Sequence, residues 1–92
     1  MQELQVFVGV DVAKAELVIA SHGQTGSRTI PNQAQAISAW LRELPDGACL
    51  AMESTGRYHQ MLASLAHAAG LQVFVLNARD VHFYAKALGA RA

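Results

Sequence analysis

The sequence predicts an α/β fold built on one mixed sheet, with three antiparallel strands followed by parallel strands linked through helices. Three observations carry this. Short apolar runs recur at 4–14, 15–21, 48–53 and 71–76, all but the third containing β-branched residues. Helical spacing of apolar residues is confined to the later stretches, and the connections in the first third of the chain are too short for anything but hairpins.

The first strand lies within Leu4 to Lys14, where Val6, Phe7, Val8 and Val10 make an almost unbroken apolar run suited to a strand covered on both faces. Ala15 to Ser21 follows so closely that the two strands form an antiparallel hairpin. Gly23 and Gly26 mark a turn, and Ser27 to Pro31 is a short edge strand ended by its proline. From Asn32, the expected N-cap, the period becomes helical. Ile37, Trp40, Leu41 and Leu44 form one apolar stripe, which assigns Trp40 to the core, and Pro45-Asp46-Gly47 stops the helix. A strand over Ala48 to Glu53 is followed by a helix from about Gly56 to Ala69, with Tyr58, Met61, Leu62, Leu65 and Ala69 on one face. Leu71 to Leu76 reads as a parallel strand reached by a crossover, and Arg79 to Leu88 as a last helix. The connection lengths set the first and fourth strands side by side. This is a ribonuclease H-like mixed sheet with helices on its faces.

Ninety-two residues, 52% hydrophobic and 15% charged, suffice for one domain with a modest core and exclude disorder. The lone Cys49 falls inside a strand and reads as core filler in a reducing compartment. No apolar run approaches the roughly 18 residues a membrane span needs, and no basic segment precedes an apolar one at Met1-Gln2-Glu3. A cytoplasmic protein with no membrane partner is expected. The net charge of zero argues against nucleic-acid binding driven by overall charge. Its distribution is uneven: residues 1–56 hold three bases and six acids, and 57–92 four bases and only Asp80. The carboxyl-terminal half is thus the one suited to a phosphate backbone.

Two acids stand out because each ends an apolar strand. Asp11 closes the first and Glu53 the fourth. A carboxylate in such a place caps a turn, pairs with a cation or holds a metal, since leaving it desolvated and unpaired costs several kcal/mol at least. Neighbouring strands would bring the two to one rim, where an oxygen-rich, negatively charged pair suits a hard divalent cation such as Mg²⁺.

The segments Phe7-Val8-Gly9-Val10-Asp11-Val12-Ala13-Lys14, Met52-Glu53-Ser54-Thr55-Gly56-Arg57-Tyr58 and Val75-Leu76-Asn77-Ala78-Arg79, with the closing Ala87-Leu88-Gly89-Ala90-Arg91-Ala92, carry a resemblance that covers the whole chain. The chain resembles the amino-terminal domain of the DEDD-type transposases of insertion sequences, the group that includes the Piv invertase. The resemblance implies a RuvC-like fold and four metal-binding acids, of which Asp11 matches the first and Glu53 the second. The other two lie, in that family, in a Lys-Thr-Asp-x-x-Asp segment following a stretch like the one at the end of this chain. The resemblance therefore implies a piece of a longer transposase, a DNA recombinase whose further domain bears a serine nucleophile. It also implies DNA as partner, a homo-oligomer and, in some members, a structured guide RNA encoded by the element. Ala78 departs from the family's more usual proline, a difference confined to a turn.

With only Asp11 and Glu53 in hand, Mg²⁺ binding should be weak and strand cleavage by these 92 residues absent, because two-metal phosphodiester chemistry needs several converging carboxylates. Ser54, Thr55 and Gly56 lie between a strand and a helix, where backbone N–H groups can receive a phosphate oxygen or the hydroxyls can cap the helix. Arg57 and Tyr58 contact a nucleic-acid phosphate or pack on the helix rim, with packing favoured for Tyr58, and Lys14 pairs with Asp11, reaches a phosphate or stays an exposed turn lysine, the commoner outcome. Arg79, Lys86 and Arg91 form a loose basic helix face, a nucleic-acid surface or an ordinary solvated one. His22, His59, His67 and His82 lack zinc-ligand spacing. Two other classes share parts of this pattern. A sugar-kinase or actin-like ATPase lobe also opens on a Gly-x-Asp strand, but expects a glycine-rich phosphate turn where this chain has Val12-Ala13-Lys14-Ala15. A non-catalytic ribonuclease H-like assembly module would leave Asp11 and Glu53 as turn residues, held apart.

Overall fold

The computed structural model describes residues 6–53 and 56–77. The expected helix from Arg79 to Leu88, with Arg79, Lys86 and Arg91, lies outside the described residues, as do Ser54 and Thr55.

The elements run β1 (Phe7–Val12), β2 (Glu16–Ser21), β3 (Arg28–Pro31), α1 (Ala34–Leu41), β4 (Cys49–Glu53), α2 (Gln60–Ala68) and β5 (Gln72–Leu76). They form one five-stranded sheet in the order β3-β2-β1-β4-β5. β1 pairs antiparallel with β2, and β2 with β3, as short connections require. β1 and β4 are parallel, as are β4 and β5, each reached through a helix. This is the mixed α/β, ribonuclease H-like sheet that the apolar periods predict, with the first and fourth strands adjacent.

The core lies on one face of that sheet. Val8, Val10, Leu17, Ile19, Ile30, Leu50 and Met52 are buried in one cluster with Ile37, Trp40 and Leu41 of α1 and Leu62 and Ala66 of α2. In β1, β2 and β3 those residues alternate with exposed or half-buried ones, whereas β4 is buried on both faces, at Cys49 and Ala51 as well as at Leu50 and Met52; both described helices pack on the face that Val8, Val10, Leu50 and Met52 share. Burying each large side chain contributes about 1.5–3 kcal/mol. The expectation that β1 is covered on both faces is corrected among the described residues: its burial alternates, with Gly9 and Asp11 exposed. β5 is also more open than its apolar run suggests, with Phe74 39% and Val75 42% exposed. β-branched and aromatic residues favour a strand whether one face or two are buried, so composition overestimated the cover.

Both helix starts differ from expectation. The N-cap of α1 is Gln33, in extended conformation and without a side-chain cap bond, because the Asn32 carboxamide is engaged elsewhere. α2 begins at Gln60, after a turn that opens on Gly56 at a φ of +63°, a conformation that cannot begin a right-handed helix. Its N-cap is His59, without a side-chain cap bond, and the expected capping residues Ser54 and Thr55 lie outside the described residues. Tyr58, expected to pack on the helix, is 40% exposed, and Met61 is exposed as well. The end of α2 is as its glycine predicts. Gly70, at φ +83°, lets its own N–H reach His67 O at 3.0 Å and the N–H of Leu71 reach Ala66 O at 3.1 Å, which closes the helix and turns the chain into β5.

Candidate metal-binding carboxylate site

The β1–β4 register ends with Val10 opposite Met52, so the next step along these parallel strands sets Asp11 beside Glu53. Both side chains leave the face opposite the buried Val10 and Met52. Asp11 also faces Val18 of β2, which faces Thr29 of β3, and Glu53 faces Leu76 of β5. One row therefore crosses the whole sheet, from Thr29 through Val18, Asp11 and Glu53 to Leu76. Apolar side chains bracket the two acids, and their only acidic or basic neighbours within the row are each other.

The two carboxyl groups are close enough to interact, with a proton on Glu53 able to be shared with Asp11. Such a hydrogen bond, then partial burial, then the charge of Asp11 hold Glu53 above the usual carboxylate range. Two neighbouring carboxyl groups ionise together only at a cost in free energy, which a shared proton or a cation relieves. An all-oxygen pair is the kind of donor set that Mg²⁺ or Mn²⁺ takes, displacing the proton. The pair thus fits a divalent ion as part of its coordination, and no group of three or more His, Cys, Asp or Glu ligands occurs among the described residues.

Two loops border the pair. Asp11 is followed by the β1–β2 turn, where Ala13 N donates to Glu16 O at 2.9 Å and Lys14 is exposed. Glu53 is followed by the turn holding Gly56, Arg57 and Tyr58, all exposed. These loops are neighbours, because Asn32 Nδ2 donates to Ala13 O at 2.9 Å and to Tyr58 O at 3.1 Å. Lys14 and Arg57, each adjacent to one of those carbonyls, accordingly lie at the rim that bears the acids. Gly56 lies four residues ahead of the first residue of α2, so a helix-end anion site does not include it.

Sequence reasoning missed the part played by Asn32. An asparagine just after Pro31 and before a helical period is the ordinary N-cap signal, and nothing local announces that Ala13 and Tyr58 converge on it. Its Oδ1 and the Nδ1 of His59 are buried without a hydrogen-bond partner among the described residues. Cys49 behaves as expected: it is buried in β4, and burial pushes its thiol up, away from nucleophilic reactivity. The ion pair among the described residues, Arg28 with Glu43 at 2.7 Å, is exposed and joins β3 to the segment after α1.

A mixed sheet of this strand order, with an acid pair closing its two central strands, defines a ribonuclease H-like α/β domain. The family model of the IS110-type DEDD transposases, described as a transposase, matches residues 8–91. The chain belongs to that transposase family, whose members have DNA as their partner. No curated protein matches it. No described helix is long and apolar enough to cross a membrane.

Proposed function

We propose that this chain supplies the metal-binding half-site of a DNA transposase's catalytic domain. The carrying observation is the adjacency of Asp11 and Glu53 at the ends of β1 and β4, because their described cross-strand neighbours, Val18 and Leu76, supply no positive charge. Asp11 and Glu53 would hold Mg²⁺, whose chemistry there would be Lewis-acid polarisation of a DNA phosphodiester. Lys14 and Arg57 flank the acids and steer the phosphate backbone toward them. Ser54, Thr55 and Gly56, and the basic Arg79, Lys86 and Arg91, extend that contact.

Two carboxylates bind Mg²⁺ weakly, since this ion sheds its water reluctantly. Residues 1–92 are therefore read as one domain of a longer, cytoplasmic transposase that supplies two further acids, works as a homo-oligomer and takes a structured RNA encoded by its element. Alone, these residues bind metal without cutting DNA. The proximity of the two acids weighs against the assembly-module reading, and the tight Lys14-Ala15 turn, without glycine, weighs against an ATPase lobe.

Magnesium titration followed by NMR tests the proposal. Chemical-shift changes should centre on Asp11 and Glu53 and vanish in Asp11→Asn. Shifts centred elsewhere would refute the metal site, and metal-dependent nuclease activity of residues 1–92 would refute the half-site.

A further inference from the structure

Among the described residues the cross-strand register of β1 with β4 runs from Phe7–Cys49 to Val10–Met52, and that of β1 with β2 reaches Val12–Leu17. Asp11 and Glu53 thus stand one step beyond the last registered pair of their own two strands. Beyond the acids, Asn32 links the two loops that leave them. Its Nδ2 donates to Ala13 O at 2.9 Å, two residues beyond Asp11, and to Tyr58 O at 3.1 Å, five residues beyond Glu53. The backbone N–H of Asn32 donates to Ala15 O at 2.9 Å, which anchors the residue on the same β1–β2 turn.

The carboxamide makes a poor device for stability alone. Its Oδ1 is buried with no partner among the described residues, and a stranded buried acceptor offsets much of what two N–H bonds contribute. What the group does without offset is geometric: one nitrogen holds two carbonyls, one from each loop leaving the acid pair.

We propose that Asn32 is a positioning residue of the carboxylate site, tying the strand end that carries Asp11 to the turn after Glu53 and fixing the opening that a divalent ion bridges. This rests on the metal-binding reading of Asp11 and Glu53 and deepens it, because it names what sets their separation. Asn32 touches neither the ion nor DNA. It acts on the site as outer-shell partners do, by orienting the groups that carry the ligands.

Mn²⁺ is the probe, read by paramagnetic broadening of the amides of Val10 to Val12, Met52 and Glu53, in the 92-residue protein and in Asn32→Ala. Amide spectra away from the rim establish that the variant is folded, so the affinity is that of folded molecules. The expected result is an affinity lowered roughly ten- to hundredfold, the range typical for loss of an outer-shell partner. An affinity within twofold of the wild type, in a folded variant, overturns the positioning role and leaves the metal reading standing. Absence of broadening at the rim of the wild type overturns the metal reading, and the role of Asn32 with it. Should Asn32→Ala fail to fold, the wild type decides. Addition of Mg²⁺ then moves the Asn32 side-chain amide resonances together with those of Asp11 and Glu53, and Asn32 resonances that stay fixed while the acids respond overturn the proposal.

Discussion

Replacing Glu53 with glutamine makes the carboxyl pair measurable as a stability difference. Glu53 titrates above its ordinary value of 4.5 because its protonated form can share a hydrogen bond with Asp11, because it is partly buried and because Asp11 is charged. The native state therefore holds this proton more tightly than the unfolded chain. Linkage then requires stability to fall as pH rises from the unfolded value through the native one, by at most about 1.4 kcal/mol per pH unit for a single proton. Below the unfolded value the carboxyl is neutral in both states and contributes its full stability; above the native value the loss is complete and constant. Glutamine keeps the shape and a donor but never ionises. Urea denaturation of both proteins from pH 3.5 to 8 should give a difference curve, variant minus wild type, that is flat at the acid end, rises through the window above 4.5 and levels off with the variant more stable at neutral pH. Groups remote from the pair titrate alike in both proteins and cancel. Added Mg²⁺ should raise the wild type at pH 7 by RT ln(1 + [Mg²⁺]/Kd) and leave the glutamine variant largely unmoved. A flat difference curve, or a variant less stable than the wild type at pH 7, would mean that the two carboxyls do not meet as described.

Three further substitutions test the fold beneath the site. Leu50→Ala empties a fully buried position in central β4 and should cost about 3 to 5 kcal/mol, a large share of the roughly 5 to 14 kcal/mol expected for 92 residues; an unchanged urea midpoint would contradict the one-faced core. Gly70→Ala places a Cβ at φ +83° with open space around it, so its cost is backbone strain alone, about 1–2 kcal/mol by thermal or urea unfolding. Arg28→Ala removes an exposed ion pair with Glu43 and should leave the midpoint unchanged within error, with high salt making no difference.

Most of the sheet was legible because each strand announces itself within a few residues. Val8 and Val10, Leu17 and Ile19, and Leu50 and Met52 are short β-forming runs bounded by turns, and the helical stripe of Ile37, Trp40 and Leu41 needs no partner to be recognised. Short connections and two crossovers then place Asp11 beside Glu53, so the central pair of the site was legible too. What escaped depends on contacts distant in the chain. Asn32 carries the local signature of a cap, and only the convergence of the Ala13 and Tyr58 loops gives its amide another use. Likewise Gly56 resembles a helix start in sequence, but its positive φ moves α2 four residues on. Cover over the second face of β1 and β5 was overestimated because apolar composition reports strand propensity as much as burial.

The arrangement of charge around the pair among the described residues supports the proposed binding site over a structural contact. Had Asp11 and Glu53 served the fold alone, a lysine or arginine in the same cross-strand row would neutralise them, and Val18, directly across from Asp11, is where it would stand. The chain instead places Lys14 and Arg57 on the loops beyond the rim and leaves apolar side chains beside the acids. Val18→Lys supplies the missing cation from within. A cross-strand pair of opposite charges contributes roughly 0.2–1 kcal/mol, so the variant should be at least as stable as the wild type at pH 7. Its lysine should also occupy the field that draws the metal, so Mg²⁺-induced NMR shifts at Asp11 and Glu53 should disappear although both carboxyls remain. A folded Val18→Lys protein that binds Mg²⁺ as the wild type does would show that the apolar bracket has no part in reserving the pair for an external cation.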